Sequence, residues 1–444
     1  MKTPICDFAT EYAASNAVRA HMPGHKGKGG TIDALDLTEI SGADSLYEAC
    51  GIIRESEKNA SALFGAHTFY SAEGSSLSIR ATVFMLSLYA RAKGRRPLIA
   101  AVRNVHRSFL TALALTDTDV DWLCSNESQT YISCPVSAKY ISEYLESAKE
   151  LPCALYLTSP DYLGSVADIE GIASACHAHG VLLCVDNAHG AYLKFLTPSL
   201  HPIDLGADIC CDSAHKTLPV LTGGAYLHIS QSAPDFFVNE AKNALALFGS
   251  TSPSYLIMQS LDKANAYLSE HKERLAAFIP MLEDLKNALS AHGYTLVGNE
   301  PLKITVSAKK FGYTGVELSD ILSKSDIVCE FCDADFLVLM LTPENGEDDL
   351  KRIKSALLAI QSKPPIQQTQ PKFSLPKRAM SVRDAMFSPR ETLPLEKSIG
   401  HILAAPTISC PPAVPIIVSG ERIDEDTARV MQYYGFTECV TVKE

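Results

Sequence analysis

Lys216 stands inside Asp208–Leu227, DICCDSAHKTLPVLTGGAYL. Asp208–Cys211 reads as a short buried strand, followed by a polar turn with Ser213 and His215, then Lys216, then a second apolar strand at Ala225–Ile229. A semi-buried lysine past a strand end loses solvation, so its neutral amine is easier to reach. A neutral amine attacks carbonyls, and its best-known use of this kind is a Schiff base with pyridoxal phosphate (PLP). A lysine snorkelling to water from a strand–loop junction fits the same residues equally well. The turn Leu221-Thr222-Gly223-Gly224 lets the backbone pass close to a neighbour.

The covalent reading requires a partner for a pyridine nitrogen, a phosphate cradle and a group to face the ring. Asp186 closes the apolar run Val181–Val185. A buried carboxylate there can keep a ring nitrogen protonated, so that the ring drains electrons from the bond that breaks. The competing reading is a strand-end aspartate capping the next segment; Lys216 in register favours the first. Gly74, Ser75 and Ser76 open an apolar helix running to Ala92, and bared amides with hydroxyls form a phosphate site. Taken alone, those serines read better as ordinary N-caps. Ser213 and His215 could donate to the same phosphate. His106 follows the strand Leu98–Val102 and could stack on a ring, although a half-buried loop histidine is the commoner fate.

These side chains need a scaffold. Strands expected at Thr68–Ser71, Leu98–Val102, Asp121–Cys124, Cys153–Thr158 and Val181–Val185 alternate with helices at Ile52–Phe64, Leu77–Ala92, Ser137–Lys149 and Asp168–His179. Near-continuous apolar strands between amphipathic helices mean a parallel sheet covered on both faces. Ligands of such sheets sit at the carboxyl ends of the strands, and His106, Ser159, Asp186 and Lys216 all follow strand ends. A helical stretch from Ser250–Pro253 to about Ala291 leads to a small α+β unit. Its strands are expected at Lys303–Val306, Ile327–Phe331 and Phe336–Leu341, and its helices at Gly315–Lys324 and Glu347–Ile360. KPPIQQTQP, 363–371, reads as a linker. Beyond it, helices near Val382–Met386 and Asp424–Tyr434 flank Pro-rich turns at Cys410-Pro411-Pro412. Residues 1–50 show little periodicity. Their HMPGHKGKGG, 21–30, is a cationic loop, either simply exposed or an arm reaching an active site, its own or a neighbour's.

Composition narrows the class. The 444 residues carry a net charge of −12, which argues against nucleic acid and anionic membranes as partners. No apolar run reaches the ~18 residues of a spanning helix, and the first residues lack an apolar signal core. Thirteen cysteines, an odd number and many in apolar strands, point to reduced thiols in a cytoplasm. Cys329 and Cys332 form a CxxC without a second pair at zinc spacing, so no metal is expected.

In order along the chain, HMPGHKG (His21–Gly27), RNVHRS (Arg103–Ser108), TSPDYLG (Thr158–Gly164), DNAHG (Asp186–Gly190), SAHKTL (Ser213–Leu218) and TSPSYL (Thr251–Leu256) resemble the Orn/Lys/Arg decarboxylases in their short bacterial form. Ala385-Met386-Phe387, the Pro411–Pro415 turn and Gly420-Glu421 resemble that family's terminal domain. The resemblance implies an α/β, aspartate-aminotransferase-like PLP fold of type I, with a mostly parallel central sheet, a small α+β domain and a small C-terminal domain. Expected boundaries are an N-terminal arm over 1–50, a PLP-binding large domain over 51–270, a small domain over 271–362, the linker 363–371 and a C-terminal domain over 372–444. The implied roles are Lys216 as Schiff-base lysine, Asp186 at the pyridine nitrogen and His106 on the ring. Gly74, Ser75, Ser76, Ser213 and His215 would hold the phosphate, Ala188 would lie at the cofactor, and Ser250 would reach the phosphate from a partner subunit. His25 and Lys26 would lie near the neighbour's site, and Glu330 would meet the substrate's basic end, unless it is only a strand-edge charge. The implied activity is cytoplasmic decarboxylation of arginine, lysine or ornithine to agmatine or a diamine, in polyamine metabolism, by a homodimer with shared active sites.

The chain departs from that pattern at several positions. Asn187 stands where the family commonly has Glu, Gly223-Gly224 where Gln is usual, Glu73 where Asn is common, and Pro412-Ala413-Val414-Pro415 in place of Pro-Gly-Ile-Pro. Lysine, aspartate and histidine are intact, so the departures bear on substrate choice and outcome rather than on cofactor binding. Aminotransfer on the same fold, or a PLP-binding paralogue without decarboxylase activity, are the alternatives. The small domain from Gly298 to Ile360 holds Arg352 alone to grip an α-carboxylate, which counts against aminotransfer.

Overall fold

The computed structural model describes residues 1–125, 130–406 and 411–443. Of the expected Cys410–Pro412 turn, Cys410 lies outside the described residues. The chain divides into two compact units. The first comprises Met1–Pro97, Leu151–Tyr156 and Ile169–Arg274; the second comprises Leu98–Glu150, Leu157–Asp168 and Leu275–Glu444. Strands along the first half are β1 (His67–Ser71), β2 (Leu98–Val102), β3 (Asp119–Leu123), β4 (Ala154–Thr158), β5 (Leu182–Asp186), β6 (Ile209–Asp212) and β7 (Ala225–Ile229).

In the first unit β5 and β6 run parallel, with Asp186 opposite Cys211. β7 lies antiparallel to β6 and to β1. Every residue of β6 and β7 is buried, Asp212 and His228 with the apolar ones. The Gly74–Ala92 helix packs on Asp235–Phe248, a helix absent from the sequence expectation. Its signal was there: Phe237, Ala241, Ala244 and Leu245 form the buried stripe, bounded by Pro234 and Gly249.

The front of the chain also corrects the expectation. Pro4–Ala14 is a helix, buried along Pro4, Ile5 and Ala9. Its start is stabilised from outside its own sequence: the Ile5 and Cys6 amides both donate to Asp262 Oδ2, at 2.9 and 3.0 Å. Ser56 Oγ donates to the other oxygen. A cap supplied by so distant a residue leaves no local pattern.

In the second unit β2 and β3 are parallel, β3 beginning two residues earlier than expected. β8 (Leu296–Val297), β9 (Lys303–Ser307), β10 (Phe331–Cys332) and β11 (Phe336–Met340) form an antiparallel sheet in the order β10-β11-β9-β8. The strand expected over Ile327–Phe331 shrinks to β10. The Ile327 amide is taken by Leu322 O at the end of the Gly315–Ser323 helix, and Val328 stands 93% exposed. The terminal region adds a sheet that the sequence did not announce: β12 (Arg390–Pro394), β13 (Leu403–Ala405) and β14 (Glu438–Val442), in the order β12-β14-β13. Its helices Val382–Phe387 and Glu425–Tyr433 are capped by Ser381 and Asp424. One core runs through this unit, joining Tyr162, Phe331, Ile416, Ile417, Met431 and Cys439. Among the described residues no helix is long and apolar enough to cross a membrane.

Candidate active site

The first unit gathers Lys216, Asp186, Ser75 and Ser213. Lys216 lies in a single helical turn, Ala214–Thr217, between β6 and β7, where a loose polar turn had been expected. Its Nζ is within hydrogen-bond distance of His189 Nε2, at 3.1 Å. His189 belongs to the DNAHG motif, and its place in the strand-end loop after Asp186 is the signal that points to it. His215 gives both its backbone N–H and its Nδ1–H to the Gly224 carbonyl, at 3.1 and 3.0 Å. A carbonyl only accepts, so Nε2 carries the lone pair. Burial, with the Lys216 charge adding to it, lowers the imidazole's pKa and keeps it neutral.

Asp186 ends β5 and is 1% exposed. Its carboxylate accepts from the Ala188 amide and from Tyr156 Oη, each at 3.2 Å. Burial raises its pKa; Lys216, the Ala188 amide and Tyr156 only partly counter this. A cation at this carboxylate would offset the remaining penalty.

The phosphate-cradle candidates also converge. The Gly74–Ala92 helix begins without a side-chain cap, and with the Gly74 amide taken by the Gly223 carbonyl it is the amides after Gly74 that can face an anion. Neither serine acts as the cap; Ser75 Oγ accepts from Ser213 Oγ at 2.7 Å. Gly74 has φ +72°, and a Cβ there would meet nothing within 4 Å, so left-handed backbone is what selects glycine. Gly223 carries the same requirement, φ +99°, with crowding added: a Cβ would lie 3.1 Å from the Ala72 carbonyl, and Gly223 O accepts the Gly74 amide at 2.7 Å. The turn after Lys216 is thus pressed against the helix start. Thr217 Oγ1, beside the lysine, is buried with no hydrogen-bond partner among the described residues. An orphaned hydroxyl, an uncapped helix start and an under-compensated carboxylate fit PLP.

Behind these groups lies a second carboxylate. Asp212, at the end of β6, accepts from Asn187 Nδ2 at 2.8 Å and from the Cys210 thiol at 3.4 Å on Oδ1. On Oδ2 it accepts from His201 Nε2 and His228 Nε2, at 3.0 and 3.2 Å. The tautomers follow: His201 Nδ1 accepts the Ile203 amide and His228 Nδ1 accepts Thr68 Oγ1, leaving each Nε2–H for the carboxylate. Burial pushes the Asp212 carboxyl up, but the two histidines overcome it and hold it far below the usual range. His201, Cys210 and Asp212 are close enough together to ligate an ion; these hydrogen bonds account for the cluster without one. Asn187, where the motif departs, is therefore the tie between the two strand ends.

The remaining residues are placed as follows. In the first unit Ser250 gives its amide to Glu73 Oε1 at 2.6 Å. His25 donates Nε2–H to Asp36 at 3.2 Å, and Lys26 Nζ donates to the His21 carbonyl, so both are engaged within their own segment. Ser76 is half-buried in the helix's first turn. In the second unit, His106 caps the Arg107–Thr116 helix, its Nδ1 accepting the Ser108 amide at 3.2 Å. Glu330 Oε1 accepts from Tyr162 Oη at 2.9 Å. It lines a cavity of about 350 Å³ with Asp326, Asp349 and Arg352.

Comparison with known proteins bears on this arrangement. Residues 3–297 match the model of the Orn/Lys/Arg decarboxylase major domain, and residues 366–443 that of the C-terminal domain. An uncharacterized Bacillus subtilis protein, YaaO, is 30% identical over 463 residues, covering 97% of this chain and 93% of its own. The arginine decarboxylase of B. subtilis is 29% identical over 466 residues, covering 96% and 92%. The Francisella novicida lysine decarboxylase LdcF superposes with a TM-score of 0.81 at 16% identity, covering 99% of this chain and 81% of its own. The fold is thus the expected α/β type, with a mostly parallel central sheet.

Proposed function

The chain belongs to the Orn/Lys/Arg decarboxylase family and is a decarboxylase, and from that premise we propose that it removes CO2 from a basic L-amino acid using PLP. The substrate class is arginine, lysine or ornithine, and the product agmatine or a diamine feeding polyamine metabolism in the cytoplasm. Among these, arginine is supported by relatives named arginine decarboxylase at 27–29% identity. The observation that carries this reading is that Asp186 closes β5 while Lys216 follows β6, its parallel neighbour, in the helical turn Ala214–Thr217.

Lys216 would hold the cofactor's carbonyl carbon and Asp186 its ring nitrogen, while His106 would lie on the ring. Gly74, Ser75, Ser76 and Ser213 would hold the phosphate, joined by Ser250 of the partner subunit in a homodimer. When bound, PLP supplies an electron sink for the bond that breaks at Cα. The chain's own part is to manage charge and protons. Loss of CO2 leaves Cα one proton short, and Lys216 Nζ is the donor at hand. His189 Nε2, 3.1 Å away, can hold that proton and return it. His215, neutral with Nε2 free to take a proton, is the second base. Glu330, kept in place by Tyr162, would meet the substrate's cationic end.

The test is direct. Protein incubated with PLP and a mixture of the three amino acids should turn yellow and release CO2 and one amine. Lys216→Ala should abolish both the visible band and turnover. Keto-acid formation in place of CO2 would identify an aminotransferase; colourless protein that takes up no PLP would remove the cofactor assignment.

A further inference from the structure

Arg103 is the first residue after β2 and lies three before His106. It is 1% exposed and among the largest fully buried side chains. Its Nη2 donates to Glu421 Oε2 at 3.0 Å and to the Ile416 carbonyl at 3.1 Å, and its Nη1 to the Pro415 carbonyl at 3.3 Å. Trp122 and Phe373 flank the guanidinium, with centroids 5.3 and 5.9 Å away. Glu421, itself 2% exposed, also accepts the Val418 amide at 2.8 Å, closing the Val418–Glu421 turn. On the other side of His106, the Arg107 amide donates to the Ala413 carbonyl at 3.0 Å. The terminal segment 413–421 therefore grips the His106 loop at both ends. A surface loop would need only one of these bonds; a fully buried arginine with three acceptors is a fixed frame.

We propose that Arg103 and Glu421 are positioning residues for His106, so that the C-terminal segment 413–421 sets how the ring-facing histidine is presented to the cofactor. This rests on the reading of His106 as the ring-stacking group. Within the second unit the link runs through backbone carbonyls and one carboxylate.

The coupling can be measured without turnover. In Glu421→Gln, the PLP dissociation constant should rise about tenfold, the loss of one charge-assisted hydrogen bond, and the visible circular dichroism of bound PLP should change. Combining Glu421→Gln with His106→Ala separates positioning from general support. If Glu421 acts through His106, the double variant binds PLP no worse than His106→Ala alone. Multiplying effects, or an unchanged dichroism in Glu421→Gln, would overturn the proposal. If His106→Ala alone leaves PLP affinity and dichroism untouched, the ring-stacking reading itself has failed. Should Glu421→Gln fail to fold, the native protein still decides, because coupling is reciprocal. Removing PLP should speed hydrogen exchange in peptides spanning 413–421, and identical exchange with and without PLP would refute the coupling.

Discussion

Asp186 and Asp212 end neighbouring strands, and both are almost fully buried, yet their carboxyls are pushed in opposite directions. Asp186 accepts from one amide and one phenol, and burial raises its pKa. Asp212 accepts from two imidazoles, an amide and a thiol, and is held far below the usual carboxylate range. Burial is common to both, so the number and kind of donors decide. A saturated carboxylate holds a structure together. An under-compensated one retains the capacity to bind a cation that arrives later.

The contrast can be broken most sharply at Asp186. Asp186→Asn should lower turnover by about 10²–10³-fold, the scale of removing one preorganised electrostatic partner, while leaving the cofactor-free protein as stable as before or more so. Equal turnover in a steady-state assay would remove its role. Asp212→Asn should reverse the pattern. Denaturant titration should show a loss of about 3–5 kcal/mol, because two imidazole donors and an amide lose a buried charge.

The pH dependence should have opposite signs at the two sites. The folded pKa of Asp212 is depressed, so its stabilisation is present in full above the unfolded value of about 3.9 and fades as pH falls below it. The folded pKa of Asp186 is raised, so the cofactor-free protein loses stability as pH rises above about 3.9 and through the folded value; Asp186→Asn should flatten that slope. Unfolding curves of the unsubstituted protein and the two Asn variants from about pH 2 to 7 would test this, and parallel slopes would contradict it.

His271 gives the smallest test. It is fully buried, neither ring nitrogen has a hydrogen-bond partner among the described residues, and burial lowers its pKa to about 4. Stability should therefore fall as pH drops from about 6.5 towards that value. His271→Phe should recover about 1 kcal/mol at pH 5.5 and nothing at pH 8. An equal gain at both pH values would mean packing rather than titration.

The placing of Asp186 and Lys216 after neighbouring strands was legible because a parallel sheet displays its polar residues at its strand ends, and strand ends can be read from apolar runs. Asp186 and Lys216 needed nothing more. Asp212 sat in the same kind of position and drew no notice, because its meaning lies in partners at 187, 201 and 228 that no local period connects. His189 was visible in its motif but silent until the lysine came within 3.1 Å. The terminal sheet was obscured for a related reason: β12, with only alternate residues half-buried, and the three-residue β13 carry little apolar signal, and long-range pairing with β14 defines them.

The Asp262 carboxylate has a practical consequence at the other end of the first unit. Its only backbone donors among the described residues, Ile5 and Cys6, belong to the opening helix, and burial already penalises its charge. The first fourteen residues act as a cork. A fragment trimmed to begin after them would carry a stranded anion in its core and would be prone to aggregate during expression, whereas an affinity tag attached ahead of Pro4 leaves the seal in place.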